Sequence, residues 1–501
     1  MNSFKKVLLA LLMIVALAFV FCACEHPGAG TTATPAPTGS TEPEEEVIAK
    51  PEDKGVAMKA GDLYRVFVWN NAEENNMVDG TTGTRAAENR QRWIDFQQAY
   101  GVTITWVASP NQSAWMDTVL QPAAAGEPYA DIYHMGGPFA IPLSLGYGGT
   151  AMGSLYENLA DYAQYTNFDD NEYWDQSANQ AMGFYNGNHY VVFPQSDGWG
   201  GVSLNQVTFF NKSIVKAAGY PAEEIYKLYK EGNWTFDKFR EVALACTDAD
   251  RDVWGVSVGE NAPAIFSLIA SNNGDVLTPN ADGVPEFTAD SANSLYAINF
   301  FVDMCKTDKS VYMENGYSQV EENLFKTGKV AMMLTYANRA VEGEGPRNGA
   351  LYQTDGLEYG IVLPPKGPNA DDYRTDRNWA SPYSVFKGHD NPAGVAQCLS
   401  YYLAPMAPMS GPTQAMLLES DAQNYFQDNE SIQTLKDAAK KNVTTSYMAY
   451  WSITSNNISL GNVLIYSGFN NWVDGSSTPE LDYAANKDAV NQIILDTISG
   501  S

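Results

Sequence analysis

The chain has 501 residues, 45% hydrophobic and 12% aromatic, with 11 Trp and 29 Tyr. A single hydrophobic core rarely grows to serve that length, so two are expected, and the aromatic content excludes a mostly disordered chain. With 30 basic against 59 acidic residues the formal charge is -29, which repels nucleic acid and anionic lipid headgroups and disfavours polyanionic ligands, while a neutral ligand feels little of it.

Lys5 and Lys6 precede an unbroken apolar run over residues 7–21, closed by Phe21-Cys22-Ala23-Cys24. A charged head, a short apolar stretch and a small residue before the cut predict a signal peptide over 1–23. The run is too short for an ordinary membrane span. Ala23-Cys24 is similar to a bacterial lipobox, whose cysteine takes the lipid, so Cys24 is the expected lipidation site. Phe21 stands where that pattern has Leu. An uncleaved anchor or a plain secretory signal is the alternative, and each still puts the protein outside the cytoplasm. Residues 24–57 are rich in Pro, Thr, Gly and Glu and poor in hydrophobes. Such a segment cannot bury enough surface to fold and reads as a disordered tether.

From residue 58 the pattern is that of a folded body. Residues 64–69 read as a buried strand, 84–100 as a helix with Trp93, Phe96 and Tyr100 on one face, and 102–107 as a second strand. Residues 114–125 read as a helix and 130–135 as a third strand. Strand, helix, strand, helix, strand with short links predicts parallel βαβ units and an α/β sheet. Further on, 189–193 and 202–210 read as strands. Residues 213–218, 223–231 and 235–247 read as helices, the last with Thr235 as N-cap. A long helix is expected over 289–306, strands over 329–335, 359–363 and 383–386, and helices near 392–403 and 487–498. No fixed-period repeat appears, which disfavours a solenoid or propeller.

Beyond Cys24 the mature chain has Cys246, Cys305 and Cys398, far apart in helix-like segments and without metal-ligand spacing. They read as small buried hydrophobes, and the sequence leaves open whether two of them pair. The histidines are His26, His134, His189 and His389, and no GxSxG, HExxH, Walker or dinucleotide pattern occurs. Asn272-Asn273-Gly274-Asp275 and Asn280-Ala281-Asp282-Gly283 lack the spaced ligands and closing Glu of a calcium loop and read as surface turns. No metal and no cofactor are expected.

Four segments, in order, carry a family resemblance. They are Ala123-Ala124-Ala125-Gly126-Glu127-Pro128-Tyr129-Ala130-Asp131-Ile132; Thr208-Phe209-Phe210-Asn211-Lys212 with Ala218-Gly219-Tyr220 and then Trp234-Thr235-Phe236-Asp237-Lys238-Phe239; Phe325-Lys326-Thr327-Gly328-Lys329-Val330-Ala331-Met332; and residues 359–364. Together they resemble the extracellular solute-binding proteins of bacterial sugar ABC transporters, over roughly residues 60–405. In the first segment an extra residue or two separates Pro128 from Asp131, a departure from the family's turn. The resemblance implies an α/β, two-lobe, periplasmic-binding-protein-like fold of type II, with the ligand cleft between the lobes, three crossover segments and hinge closure. It implies an N-terminal lobe of 58–200 plus 340–405 and a C-terminal lobe of 201–339 plus 406–501, with crossings near 193–204, 334–338 and 402–409. Gly198, Gly200 and Gly201 suit a hinge.

A sugar needs flat rings for its CH face and planar polar groups for its hydroxyls. In α/β sheets these gather after the carboxyl ends of strands. The candidates there are Trp69, Asn70 and Asn71 after the first strand and Met135 and Gly136 after the third. Asp197 and Trp199 stand between glycines at the first crossing, Tyr336, Asn338 and Arg339 at the second, and Trp379 and Trp451 later. Several have plain alternatives: a core Trp with turn-forming Asn for 69–71, a simple turn for 135–136, a salt-bridged Arg339, helix packing around Trp451. Trp93, Trp106, Trp115, Trp234 and Trp254 read as structural.

The expected function is therefore capture of a carbohydrate, an oligosaccharide given the many Trp and Tyr, by a monomeric lipoprotein on the outer face of the cell membrane. Its partners would be that ligand and the transmembrane subunits of an ABC permease. The membrane is met only through the lipid, and nucleic acid not at all. The alternatives are a surface glycoside-active enzyme, since 59 acidic residues guarantee many carboxylate pairs, an adhesin, or a binder of a peptide or polyol.

Overall fold

In the computed structural model the residues described are 54–68, 86–108, 119, 122–123, 125–134, 155–171, 174–185, 187–194, 205–258, 261–280, 285–312, 320–340, 351–377, 381–403, 422–443, 454–455, 458–459 and 468–499. The segment expected to be a signal peptide, Cys24 and most of the expected tether lie outside them. Among the described residues no helix is long and apolar enough to cross a membrane.

Two five-stranded mixed sheets organise the body. The first is built from β1 (Leu63–Val68), β2 (Thr103–Ala108), β3 (Ile132–His134) and β4 (Val191–Val192). The second holds β5 (Gln206–Asn211), β6 (Trp254–Val258), β7 (Val311–Tyr312), β8 (Val330–Tyr336) and β9 (Tyr359–Val362). β10 (Tyr383–Val385) returns to the first. The strand orders are β2-β1-β3-β10-β4 and β7-β6-β8-β5-β9. They have the same plan. In each, three adjacent strands run parallel (β2-β1-β3 and β7-β6-β8), and an antiparallel strand (β10 or β5) then separates them from the last strand of the order. In the first sheet that antiparallel strand is the last to arrive in the chain, and in the second it is the first. The chain therefore changes sheet between Val192 and Gln206 and again between Val362 and Tyr383.

This corrects one expected boundary. Residues 359–362 belong to the second sheet, where Ile361 pairs with Phe209, so the return to the first lobe lies after Val362 and not at 334–340. The apolar strand reads identically for either sheet, and only pairing distinguishes them. Later, the helix Asn429–Lys440 packs on β9, and the C-terminal helix Pro479–Ser499 packs near the strand Pro285–Phe287.

The local chemistry explains why the family-like segments fold as they do. Asp131 is fully buried, and its carboxylate accepts from the Arg65 backbone N–H at 2.7 Å and from Arg65 Nη2 at 2.7 Å, which clamps β3 to β1. Asn211 caps the helix Lys212–Ala217 by accepting from the N–H groups of Ser213 and Ile214, and Lys212 pairs with Asp428 at 2.6 Å. Thr235 caps the helix Phe236–Cys246, as its position predicts. Gly328, at φ +72°, turns the chain from the helix Val320–Lys326 into β8, a backbone setting that L side chains rarely adopt. Several elements come without a sequence expectation, among them β6, β7, the helices Val320–Lys326 and Asn429–Lys440, and the helix Asn261–Ser271. The last of these is apolar on every side, Ala264 to Ala270 being almost wholly buried, so it shows no stripe of period 3.6.

Two apolar clusters fill the body. One gathers Tyr64, Val66, Ile104, Ile132, Val385 and Leu399, and the other centres on the second sheet with Phe209, Val256, Met332 and Ile361. Cys246, Cys305 and Cys398 are thiols, with Cys246 and Cys398 buried.

Candidate functional site

Tyr336 is the last residue of β8, a strand running parallel to β6, so it stands at the carboxyl edge where an open α/β sheet presents ligand groups. Its strand partner is Gln206, the first residue of β5, and the Ala337 N–H donates to the Asn205 carbonyl at 2.9 Å. The end of the first crossing and the exit of β8 therefore meet at one edge. The turn Ala337–Ala340 follows and carries Asn338 and Arg339.

The Tyr336 ring is buried at 4% exposure, and the Arg339 guanidinium lies 5.7 Å from its centroid. A ring so placed supports the turn, and the open stacking platform expected of it is not the arrangement seen. Arg339, itself 3% exposed, lies with Nε 3.2 Å from Glu322 Oε1. Of the two readings of Arg339, the ion pair is the one present. Burial pushes the Glu322 carboxyl above the ordinary range, opposed by the charges of Arg339 and Lys326.

What makes this edge a site is unspent hydrogen-bonding capacity. Gln206 is 1% exposed, and neither its Nε2 nor its Oε1 has a partner. The same holds for Glu322 Oε2 and Asn338 Oδ1. Buried polar atoms are nearly always bonded, and these unbonded ones lie on segments that meet at the carboxyl edge of the second sheet. Together they offer one amide donor and three acceptors, a mixture suited to hydroxyl groups, which donate and accept at once. Arg339 is paired with Glu322, and Lys326 adds a second cation beside the same carboxylate.

On the first sheet, Asn179 Oδ1 accepts from the Phe193 N–H at 2.8 Å, while Asn179 Nδ2 is buried without a partner. His134, at the end of β3, stacks on Tyr383 with centroids 4.2 Å apart. Trp69, Asn70, Asn71, Met135, Gly136, Asp197, Trp199, Trp379 and Trp451 all lie outside the described residues. Of the residues expected at the site, the structure thus brings Tyr336, Asn338 and Arg339 together. Gln206, Glu322 and Asn179, which carry unbonded buried atoms, were not among the expected residues. A Gln just ahead of the residues Val207-Thr208-Phe209-Phe210 was the one legible hint. Glu322 carries no signal of its own in a run of surface-like acids. Among the described residues no cluster of His, Cys, Asp or Glu is arranged to hold a metal ion.

Comparison with known proteins extends this geometry. The profile of the family described as "Bacterial extracellular solute-binding protein" matches residues 75–407. No curated relative matches the sequence. Among solved structures, the fold is similar to a cyclic alpha-maltosyl-1,6-maltose binding protein from Arthrobacter globiformis, with TM-score 0.59 at 12% identity over 87% of this chain and 99% of that one. It is similar to the GacH receptor of Streptomyces glaucescens, solved with acarbose, with TM-score 0.56 at 17% identity over 87% and 100%. It is also similar to an ABC substrate-binding protein from Listeria monocytogenes in complex with cycloalternan, with TM-score 0.55 at 16% identity over 87% and 98%. At such identities the likeness establishes the two-lobe fold.

Proposed function

Since the chain belongs to the bacterial extracellular solute-binding proteins, a family of binders and not of catalysts that serves ABC permeases, we propose that its cargo is a carbohydrate, and specifically an oligosaccharide. The observation that carries this is the set of buried, unbonded groups of Gln206, Asn338 and Glu322 at the carboxyl edge of the second sheet. Amides and a carboxylate held out of water offer the mixed donors and acceptors that suit a neutral polyhydroxylated ligand. The neighbours bound to cycloalternan and acarbose support the same ligand class.

In this reading the cargo lies between the two sheets, closure about the crossings encloses it, and the permease receives it. Trp69, Asn70, Asn71, Met135, Gly136, Asp197, Trp199, Trp379 and Trp451 are proposed to complete the cleft on sequence grounds. Cys24 is proposed to carry the lipid that holds the monomer at the membrane, beyond the tether.

A thermal-shift screen of oligosaccharides, monosaccharides, polyols and peptides tests the reading. A ligand at about 100 times its Kd stabilises the folded state by about 2.7 kcal/mol. An oligosaccharide is expected to raise the melting temperature and to be recovered intact. A peptide that raises it while no sugar does refutes the proposal.

A further inference from the structure

The first crossing leaves β4 and enters β5, and its two ends are tied to two residues of one short segment of the returning chain, Thr375 and Arg377. At the second-sheet end, Thr375 Oγ1 donates to the Gln206 carbonyl at 2.6 Å. At the first-sheet end, Arg377 Nη1 donates to the Pro194 carbonyl and to Asp175 Oδ2, the latter at 3.1 Å. Positions i and i+2 of an extended chain share a side, which is how Thr375 and Arg377 both reach one neighbouring passage. Thr375, Asp376 and Arg377 are 0%, 0% and 1% exposed, and Asp175 is 3% exposed.

The anchors are themselves fixed. Asp175 caps the short helix Gln176–Ala178, accepting from the Ala178 N–H at 3.0 Å, and its own N–H donates to the Phe193 carbonyl at 2.8 Å. Thr375–Asp376 pairs in parallel with Asn442–Val443. A guanidinium is buried only where charge and hydrogen bonds compensate it. Here the compensation includes a main-chain carbonyl at the mouth of the crossing.

We propose that residues 375–377 act as a stay across the first crossing, with Arg377 the positioning residue that holds its first-sheet end and Thr375 the tie at its second-sheet end. The stay sets how far apart the two ends sit before ligand arrives. This rests on the reading that the ligand lies between the two sheets.

Hydrogen exchange on the full, ligand-free chain tests it. In Arg377→Met, the amides of Phe193 and Asp175 are expected to exchange about tenfold faster, while the helices Phe236–Cys246 and Ala292–Lys306 keep their rates. Thr375→Val is expected to give the complementary pattern. The Ala337 amide, bonded to the Asn205 carbonyl, speeds up, and Phe193 and Asp175 do not. Should Arg377→Met fail to fold, Arg377→Lys keeps the charge beside Asp175 and is expected to show the same local pattern, weaker. Unchanged exchange at these amides, or a uniform increase across both sheets, overturns the proposal. The sugar screen on the same variants separates the two ideas. Local loosening without any sugar ligand sinks only the carbohydrate reading, and sugar binding with unmoved amides sinks only the stay.

Discussion

Gln206→Leu is the substitution on which a binding role and a structural role predict opposite outcomes. The Gln206 amide is hydrated in the unfolded chain and 1% exposed in the folded one, with both polar atoms unbonded. Stranding such a group costs about 1–3 kcal/mol. Leucine has a similar volume and nothing to strand, so the ligand-free variant should gain about 1–2 kcal/mol after some loss of fit. At about 2–4 °C per kcal/mol for a domain of 150–250 residues, the melting temperature should rise by several degrees. Ligand affinity should move the other way. Two hydrogen bonds to hydroxyls at about 0.5–1.5 kcal/mol each amount to roughly a tenfold to hundredfold weaker Kd. Urea unfolding of the ligand-free protein and calorimetric titration with the sugar found by screening measure the two quantities. A destabilised variant, or a stabilised one that binds as tightly as the parent, refutes the reasoning.

Three further outcomes are expected. Asp131→Ala should cost about 3 kcal/mol in urea unfolding, because it removes a buried carboxylate that holds the Arg65 backbone and guanidinium; a loss under about 1 kcal/mol would contradict the clamp. His189 is packed on Phe184 with centroids 4.1 Å apart, and burial pushes its imidazole down to about 4. The unfolded chain, with a pKa near 6.5, then binds the proton that the folded chain refuses. Stability from this group is full above about pH 6.5 and is lost as the pH falls toward 4, by about 2–3 kcal/mol. His189→Leu should flatten that slope, and equal slopes in the two proteins would count against it. Trp199→Ala should weaken sugar binding by about 1–3 kcal/mol, as loss of an aromatic anchor does; titration showing unchanged affinity removes Trp199 from the site.

The family-like segments are legible because their work is local. Asn211 caps the helix that begins at the next residue, Thr235 does the same for its own helix, and Gly328 takes a positive φ in a turn. Each interaction spans a few residues, so the residue type reveals the structure. Those same segments shape the scaffold and contribute few of the site's groups. The position after a strand end pointed to Asn338 and Arg339, which the structure places in the turn that follows β8. It was silent on whether Arg339 meets ligand or Glu322, a partner 17 residues away in the chain on a separate helix.

Sequence alone determined two cores, the α/β alternation, the strongly acidic net charge and the family, since composition, periodicity and local turns are properties of neighbouring residues. Tertiary structure decided that residues 359–362 join the second sheet, that Gln206 faces Tyr336, and that Arg377 reaches Pro194 across 183 positions. Those pairings depend on which distant strand lies alongside and which buried atoms remain unbonded. Chain order does not encode that choice locally, because any apolar strand can satisfy the period of two, and only the packed whole selects one partner.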